Sequence, residues 1–473
     1  MEINIYKSIK KSSSTVILPF YKNETNLKLV KELTGMKRLP PFVGDFQETI
    51  TLFRKDNDAK VIITGLGLKA DNQKICEVFR RIAFFTKVDK DTTITLLFNH
   101  LDDNVVMESI IGFSLGSYDI TINKKESTVK PILNLDIIHQ SIDASKIQEA
   151  RMTATCMMDI MKLVDTPSNI KTPAYIANHA AAGGKKYGYK TKIIHGEDLK
   201  KNGLNALYAI GQGSVNPPAF IIMEYHGNKK GKTIGLVGKG ISFDTGGISI
   251  KPSTNMHHMK SDMGGAAAVI GTINLAASLK MPINIIGIIP SAENAVDGNS
   301  IKPGDIVTAY SGHTIEIIDT DAEGRVVLAD GLSYLTKNYQ PDAIIDLATL
   351  TGSCVATLGS AAAGLFTNNE ELASQLTAAG FQSYDKVWRL PLWDDYKDHL
   401  HSDIADIKNL SGKPVAGAIS AAKFLEFFTD NHACWAHLDI AGVAFTDNEY
   451  SKMRSATAYG VRLLKAWLHN QCH

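Results

Sequence analysis

The feature that most constrains the fold of this chain is a series of short, almost uniformly apolar segments separated by helical ones. The apolar segments are AFIIMEY, TIGLVG, INIIGII, AIIDLATL and AHLDIAGVAF. Strands that are apolar on both faces are buried on both faces, as in a parallel or mixed sheet covered by helices. The sequence therefore predicts an α/β fold with a central mixed sheet. Polar residues that directly follow its strands become candidates for a functional site.

The organisation of the chain changes near residue 140. Before this point short strand-like segments alternate with helical ones, and from about residue 144 one long helical pattern leads to a break at TPSN. We predict a smaller N-terminal α/β domain over residues 1–140 and a connecting helix over 141–165. A larger C-terminal α/β domain, which contains the mixed sheet, is predicted over residues 166–473.

Three carboxylates lie within five positions of one strand-to-helix turn, in the segment IIDTDAEGRVVLADG. They are Asp319, Asp321 and Glu323. Like charges this close repel one another, so a bound cation would explain the arrangement. One alternative is an EF-hand loop that ends at Asp330, although the preceding segment is strand-like where an EF-hand needs a helix. A second alternative is that Asp321 only caps the following helix.

Other charged residues also follow apolar strands or precede helices. Asp244 lies between Lys239 and Lys251 in KGISFDTGGISIKP, and Asp262 precedes a helix of small residues, where it could also serve as an N-cap. Together with the acidic turn, these positions supply a set of four carboxylates, which are Asp244, Asp262, Asp321 and Glu323. Two neighbouring divalent ions need such a set of bridging and terminal carboxylates, supplied from different strand ends. Oxygen ligands of this kind tolerate manganese, zinc, magnesium or cobalt.

Other chemistries have weaker support in the sequence. His257 and His258 are adjacent and cannot share a helix face, and the sequence contains no HExxH. No GxSxG is present, and Cys354 is expected to be a small buried residue rather than a nucleophile. The segment GLGLKA at residues 65–70 resembles a dinucleotide-binding pattern, but no acidic residue ends the next strand.

Composition and charge bear on location and partners. The five cysteines form no CxxC, which indicates reduced thiols and a cytoplasmic protein. The apolar stretch near the N-terminus is too short for a signal peptide, and no apolar run is long enough for a membrane span. The chain has 50 Lys and Arg against 49 Asp and Glu, so it lacks the basic character of nucleic-acid-binding proteins. We expect neither a membrane nor a nucleic-acid partner.

Several long segments together resemble the signature segments of the leucine aminopeptidase family, which is also called the cytosol aminopeptidase family. They are KGISFDTGGISIKP, MKSDMGGAAAV, DTDAEGRVVLADG, DLATLTG and AHLDIAG, with SAENAV, DIKN and ATAYGVRLL in support. The resemblance is dense from about Val164 to Leu464 and diffuse before residue 140, where the family is variable. It implies that the C-terminal domain is catalytic and holds two metal ions. It also implies a homohexameric, metal-dependent aminopeptidase.

The resemblance further implies what each site residue does. The residues that would hold the first metal ion are Lys239, Asp244, Asp262 and Glu323. The residues that would hold the second are Asp244, Asp321 and Glu323. Lys251 would stabilise the oxyanion, and Arg325 would hold a bicarbonate that relays the proton from a metal-bridging water. The residues that would contact the first side chain of the peptide are Met259, Thr349, Gly352 and Ala441. Such an apolar pocket favours leucine, methionine and other apolar residues.

The sequence departs from the family pattern at three positions. Asp319 replaces an asparagine, Thr245 replaces the common serine, and Ala458 replaces the common glycine. We interpret the last two as packing variations. For Asp319 we predict no direct contact with metal, but a carboxylate that accepts a local hydrogen bond and orients the turn. An alternative function, which some relatives suggest, is a DNA-binding or recombination accessory protein with secondary peptidase activity.

Overall fold

The computed structural model divides the chain into two units, Met1–Met158 and Asp159–His473. The structure describes residues 2–9, 15–24, 26–57, 59–69, 74–86, 93–98, 101–121, 123–125 and 134–472. Both units combine helices with a sheet, so the predicted α/β fold class is confirmed. None of the helices in the described part of the chain is long and apolar enough to cross a membrane.

The first unit contains a six-stranded sheet. Its strands are β1 (Glu2–Tyr6), β2 (Thr15–Phe20), β3 (Thr49–Phe53), β4 (Lys60–Gly65), β5 (Thr93–Leu97) and β6 (Asn134–Ile138). Its helices are α1 (Lys28–Thr34), α2 (Ile75–Thr86) and α3 (Asp103–Gly116). The strand order is β1-β6-β5-β2-β4-β3, and only β3 runs antiparallel to its neighbour. The dinucleotide-like segment at residues 65–70 ends on Ala70, which lies outside the described residues.

Helix α4 (Ala144–Asp165) extends across the division between the units. This helix has 22 residues. We propose that it connects an N-terminal domain over residues 1–140 to a C-terminal domain over residues 166–473. Thr172 and Pro173 lie at the start of the next helix, where the Thr172 hydroxyl accepts a hydrogen bond from the Tyr175 NH. This cap is the local reason that the chain resumes a helix there.

The second unit is built on a nine-stranded mixed sheet with two smaller sheets beside it. Its strands are β7 (Lys190–His195), β8 (Ala219–His226), β9 (Thr233–Gly238), β10 (Gly240–Asp244), β11 (Asn284–Asn294), β12 (Ile306–Thr308), β13 (Thr314–Glu316), β14 (Ala343–Ala348), β15 (Ala363–Thr367), β16 (Val387–Arg389), β17 (Ile407–Lys408), β18 (Trp435–Asp439), β19 (Phe445–Thr446) and β20 (Ser455–Ala456). The large sheet has the order β16-β15-β18-β14-β9-β11-β8-β7, and β10 pairs with β11.

The helices of the second unit cover this sheet. They are α5 (Pro173–Tyr187), α6 (Asp198–Lys201), α7 (Asn205–Gly211), α8 (Gly264–Ser278), α9 (Glu323–Tyr339), α10 (Gly352–Leu358), α11 (Glu370–Ser383), α12 (Gly417–Phe427) and α13 (Val461–Gln471), with 3₁₀ helices at Met256–Ser261 and Asp394–Leu400. Helix α8 consists mostly of small residues because it packs closely against the sheet. A Cβ atom on Gly265 would lie 1.9 Å from the main-chain oxygen of Leu347, so only glycine fits.

Three parallel neighbours at the centre of the sheet position the candidate site. Strand β14 runs parallel to β9 on one side and to β18 on the other. Nearly every residue of these strands is buried, as expected for strands covered on both faces. Their carboxyl ends therefore meet at one edge of the sheet, where ligands bind in open α/β folds.

Candidate metal centre

The residues predicted to hold metal converge at the carboxyl edge of the central sheet. Lys239 directly follows β9, Asp244 ends β10, and Asp262 lies between the first 3₁₀ helix and α8. Asp321 and Glu323 lie at the start of α9. Carboxylate oxygens of Asp244, Asp262 and Glu323 lie within 4.8 Å of one another, and all three residues are buried. Residues up to 79 positions apart in sequence thus form one acidic cluster, which could hold a cation.

Two lysines supply the positive charge beside these carboxylates. The Lys239 Nζ atom lies 2.8 Å from Asp262 Oδ2 and 2.8 Å from Glu323 Oε1. The Lys251 Nζ atom lies 2.8 Å from Asp244 Oδ2 and also contacts Asp321 Oδ1. Lys251 thereby joins Asp321, whose side chain is about one third exposed, to the buried group. The two ion-paired groups are joined by the proximity of Asp244 to Asp262 and Glu323, so all five residues predicted as metal ligands lie together with Lys251.

The electrostatics of the cluster disfavour full ionisation of its carboxylates. Burial, followed by repulsion from Asp244, raises the pKa of Glu323 to about 8. Burial also raises the pKa of Asp262 to about 6, although Lys239 opposes this shift. The pKa of Lys239 is itself raised, because the surrounding carboxylates outweigh the burial that would lower it. Two lysines thus offset only part of the repulsion and desolvation of the four carboxylates.

Three carboxylate oxygens in the cluster lack well-directed hydrogen bonds. They are Asp262 Oδ2, Asp321 Oδ1 and Glu323 Oε1, and each is buried. Each instead forms an ion pair with a lysine ammonium group, Asp262 and Glu323 with Lys239 and Asp321 with Lys251. Buried polar atoms in folded proteins are nearly always satisfied by well-directed hydrogen bonds, so three buried oxygens at one place with ion-pair contacts to lysine alone favour a cation as a further partner. Hard divalent cations bind such oxygens, and the donor set therefore fits the metal ions expected from the sequence.

Neighbouring polar groups hold the acidic side chains in place. Sequence analysis did not single out Asn294, and it predicted only a substrate contact for Thr349. The Asn294 Nδ2 atom, at the end of β11, donates to Asp244 Oδ1 at 2.8 Å and to the Thr320 main-chain oxygen at 3.1 Å. The Thr349 hydroxyl donates to Asp262 Oδ1 at 2.7 Å. Asn294 ends an apolar strand, which is the one signal that could have indicated it.

Glycines allow the backbone to approach the cluster. Gly246 and Gly247 have φ values of 88° and 65°, a region that side-chain-bearing residues rarely adopt. A Cβ atom on Gly246 would also lie 2.9 Å from Asp321 Oδ1. At Gly324 a Cβ atom would lie 2.5 Å from the Lys239 side chain. Glycine at these positions permits the turn after Asp244 and the lysine to lie against the carboxylates.

The structure excludes the simpler interpretations of the acidic residues. The chain before the acidic turn forms strand β13 rather than the helix of an EF-hand. Asp330 lies inside α9, where its carboxylate accepts hydrogen bonds from the main-chain NH groups of Leu207 and Tyr310. Neither α8 nor α9 has a side-chain hydrogen bond at its N-cap, so Asp262 and Asp321 are not caps.

The strand-like segment before the acidic turn forms only a short strand, β13, which ends at Glu316. Beyond β13, the main chain of Ile318 and Asp319 forms hydrogen bonds with the Asn409 side chain instead of with a neighbouring strand. The hydrogen bond predicted for Asp319 is confirmed, since its Oδ1 atom accepts from the Asp321 NH at 2.8 Å. Asp319 thus orients the turn that carries Asp321.

Arg325, in the first turn of α9, is buried beside the acidic cluster. Its NH1 atom donates to the Asn409 main-chain oxygen at 2.9 Å, and its Nε atom has no hydrogen-bond partner. No acidic residue in the described part of the chain lies within ion-pair distance of its guanidinium. Burial lowers the pKa of Arg325 to about 10, because the buried charge is poorly compensated. A small anion such as bicarbonate fits an unpaired guanidinium of this kind.

The predicted substrate-contacting residues line a cleft of about 620 Å³ that opens beside the acidic cluster. They are Met259, Thr349, Gly352 and Ala441, and the cleft wall also includes Lys239, Asp244, Lys251, Asp262 and Asp321. The cleft is less uniformly apolar than expected, since His258, Asp447 and Arg454 also line it.

Asp439 organises the wall of this cleft, and sequence analysis did not identify it. Its Oδ1 atom accepts hydrogen bonds from the main-chain NH groups of Leu350, Thr351 and Ala441. The two segments that carry three of the predicted pocket residues, Thr349, Gly352 and Ala441, are thereby tied to one carboxylate. Nearby Cys354 is buried, and burial raises its pKa to about 12, so it is a small buried residue as predicted.

Comparison with known proteins identifies the family. The sequence model described as "Cytosol aminopeptidase family, catalytic domain" matches residues 160–465. The chain belongs to the cytosol aminopeptidase family. A protein of Chlorobium luteolum named "Probable cytosol aminopeptidase" is 52% identical over 303 residues, which are 64% of this chain and 59% of that protein. A protein of the same name from Chloroherpeton thalassium is 37% identical over 99% of this chain and its own whole length.

A solved structure supports the same assignment. The "Bottromycin maturation enzyme BotP in complex with Mn" superimposes with a TM-score of 0.88 at 29% identity, covering 98% of this chain and 100% of that chain. Membership of the cytosol aminopeptidase family confirms the predicted resemblance and the predicted class of enzyme, a peptide hydrolase of the leucyl aminopeptidase type. The family is one of metal-dependent enzymes, and the buried acidic cluster lies within the matched residues.

The structure explains two of the departures from the cytosol aminopeptidase pattern. Thr245 uses its hydroxyl to donate to the Asn294 main-chain oxygen at 2.9 Å, which a serine could also do. Ala458 has a φ of 61°, in the left-handed region where glycine avoids a steric cost. The interpretation of Ala458 as a packing variation stays a prediction, and its backbone conformation is a second difference from glycine.

Proposed function

We propose that this chain is an aminopeptidase that removes the N-terminal residue of peptides and requires two divalent metal ions. The observation that carries the proposal is the buried trio of Asp244, Asp262 and Glu323, whose oxygens lie within 4.8 Å of one another at the cleft. This arrangement concentrates negative charge where the cleft can bring a peptide bond to it. A stabilising role in the fold does not by itself account for the buried oxygens of Asp262, Asp321 and Glu323, which have ion-pair contacts with lysine but no well-directed hydrogen bond.

The first metal ion would be held by Lys239, Asp244, Asp262 and Glu323, and the second by Asp244, Asp321 and Glu323. When bound, the two ions supply a nucleophilic water at neutral pH and polarise the scissile carbonyl. Lys239 would bind as a neutral amine, because adjacent dications lower the pKa of a lysine. Manganese is proposed first, since the structural neighbour carries it, and zinc, magnesium and cobalt suit the same ligands.

Lys251 lies on the cleft wall with its side chain about one fifth exposed, so a substrate can reach it. We assign it the stabilisation of negative charge that develops on the substrate carbonyl oxygen. Its pKa is raised because Asp244 and Glu323 outweigh the effect of burial, so the amine stays protonated. Arg325 would hold a bicarbonate through its unpaired Nε atom, and the bicarbonate would supply a base that accepts the proton of the water.

The pocket residues favour an apolar first side chain. Met259, Ala441 and the Thr349 methyl group provide apolar contacts, and Gly352 leaves open space around its Cα atom. Leucine and methionine match such a pocket in size and polarity. The free α-amine of the peptide would be drawn to the acidic cluster. A peptide with a blocked N-terminus lacks that attraction.

On the family resemblance we also propose that the protein is a homohexamer, which light scattering would test, and that it is cytoplasmic.

A release assay tests the proposed activity. Leucine amide should be hydrolysed by protein supplied with Mn²⁺, and N-acetyl-leucine amide should not be, because its α-nitrogen is neutral and blocked. Dialysis against a strong chelator should abolish the release of ammonia, and Mn²⁺ or Zn²⁺ should restore it. Full activity in protein shown to be metal-free by elemental analysis would contradict the proposal.

A further inference from the structure

Asn409 lies at the point where strand pairing ends beside the acidic turn. Strand β17 pairs with β13 in parallel through Ile315–Ile407 and Glu316–Lys408. The Asn409 NH then donates to the Glu316 main-chain oxygen at 2.9 Å, and no further pair follows. Asn409 is completely buried. Its position is therefore set by the small sheet, and its side chain is directed at the irregular chain beyond β13.

The side-chain amide of Asn409 binds the backbone on both sides of Thr320. Its Oδ1 atom accepts from the Ile318 NH at 2.8 Å and, more weakly, from the Asp319 NH at 3.4 Å. Its Nδ2 atom donates to the Asp319 main-chain oxygen at 2.7 Å and to the Ala322 main-chain oxygen at 3.4 Å. Asp321 lies between the outer two of these contacts and Glu323 directly follows them. One amide thus holds the segment that carries two of the acidic residues.

The main chain of Asn409 also fixes Arg325. The Asn409 carbonyl oxygen accepts the hydrogen bond from Arg325 NH1 at 2.9 Å. A carbonyl group orients a guanidinium without neutralising its charge, in contrast to a carboxylate. The Nε atom of Arg325 consequently stays available to another partner.

We propose that Asn409 is a positioning residue that holds the acidic turn and Arg325 in register with each other, so that the turn binds metal in the correct geometry. Asn409 itself contacts neither metal nor substrate. The inference deepens the proposed function and rests on it for any effect on turnover. Its effect on metal binding does not depend on which reaction the protein catalyses.

The test uses two substitutions that preserve the Asn409 main chain. Asn409→Asp replaces the Nδ2 donor with an oxygen that faces two carbonyl oxygens, and Asn409→Ala removes the side chain without adding charge. In both variants we expect Mn²⁺ affinity, measured by titration calorimetry on chelator-treated protein, to fall by about 10–100-fold. Turnover of Asn409→Ala on leucine amide should rise towards that of the native protein as Mn²⁺ is raised, because all ligands are still present.

Asn284 provides a matched control in the same unit. It is also a buried asparagine whose Nδ2 atom donates to two main-chain oxygens, those of Asn228 and Gly231. Asn284 begins β11, whereas the end of β11 that contacts the acidic cluster is at Asn294. Asn284→Asp should lower the thermal stability of the protein and leave its Mn²⁺ affinity unchanged.

Several outcomes would overturn the proposal. Folded Asn409 variants that bind Mn²⁺ within about twofold of the native protein would show that the turn needs no such support. An equal loss of affinity in Asn284→Asp would reduce the effect to general destabilisation. If both Asn409 variants failed to fold, the residue would belong to the fold rather than to the site. An inactive native protein with the expected affinity losses would overturn the proposed reaction but not the positioning role.

Discussion

Two buried polar clusters lie in the second unit, and they differ in how their carboxylates are satisfied. In one, Asp346 on β14 accepts hydrogen bonds from His437 Nδ1 at 2.5 Å and from Trp435 Nε1 at 2.7 Å. Both oxygens of this carboxylate have a partner, although His437 Nε2 has none. In the other, the acidic cluster at the cleft has three buried oxygens without directed partners.

We interpret the difference as one between a polar group that supports the fold and a group suited to bind a cation. Asp346 and His437 are completely buried, and both oxygens of the Asp346 carboxylate exchange hydration for fixed partners in the protein. The acidic cluster brings carboxylates together at a cost in repulsion and desolvation that the fold alone does not recover. One cluster has a single carboxylate and the other has four carboxylates with two lysines, and the hydrogen-bond inventory also distinguishes them. The following substitutions test this comparison, in decreasing order of expected effect.

Glu323→Gln should have the largest effect, because a neutral amide is a poorer ligand than a carboxylate shared by two dications. We expect near-complete loss of leucine amide hydrolysis and fewer than two metal ions per chain by elemental analysis. The control is Glu224→Gln, which changes a carboxylate on β8 that accepts a hydrogen bond from the Tyr339 hydroxyl. It should retain both metals. Two tightly bound metals and a normal rate in Glu323→Gln would exclude Glu323 as a ligand.

Lys251→Ala should reduce kcat by about 10²–10³, the usual cost of losing one group that stabilises an oxyanion. Metal content should be unchanged, because Lys251 is not proposed as a ligand. Lys230→Ala, which removes an exposed lysine of the same unit, serves as the control and should have normal kinetics. An unchanged kcat for Lys251→Ala would show that Lys251 forms ion pairs with Asp244 and Asp321 but does not stabilise the oxyanion.

Asp346→Asn should affect stability instead of metal binding. One of the two donors, His437 Nδ1 or Trp435 Nε1, would face an NH₂ group and lose its acceptor. We expect the free energy of unfolding to fall by about 1–3 kcal/mol in urea titrations, the cost of leaving a buried polar group unsatisfied. Two metals per chain should still be found. A loss of metal from this variant would mean that the two clusters are not independent.

Asp319→Asn should have the smallest effect, since Asp319 lies at the border of the acidic cluster and its carboxylate accepts one local hydrogen bond. An asparagine oxygen can accept the same bond from the Asp321 NH. We expect two metals per chain and a change in kcat/KM of less than about 10-fold, within the range of residues that orient ligands. If elemental analysis showed that one metal had been lost, Asp319 would be a ligand and the site would differ from that of its relatives.

Much of the candidate site could be anticipated from local sequence. Lys239 directly follows an apolar strand, Asp244 ends one, and Asp262 precedes a helix, which are positions where open α/β sheets place functional residues. The acidic turn was recognisable because like charges rarely crowd together without a partner. The same signals were too coarse to locate the end of β13, because hydrogen bonds from Asn409, about 90 positions away, decide where strand pairing stops.

The sequence by itself determined the chemical inventory of this protein: alternating apolar strands and helices, five potential metal-binding side chains, and an acidic turn at a helix start. Only the tertiary structure decided which polar atoms are satisfied. Asn294, Asn409 and Asp439 are ordinary polar residues in the sequence, yet each bonds groups 50 or more positions away, directly or through the backbone. The physical reason is that a hydrogen bond requires a donor and an acceptor within about 3 Å in a favourable direction. Sequence spacing cannot specify that geometry between distant segments, and packing of the sheet against its helices does.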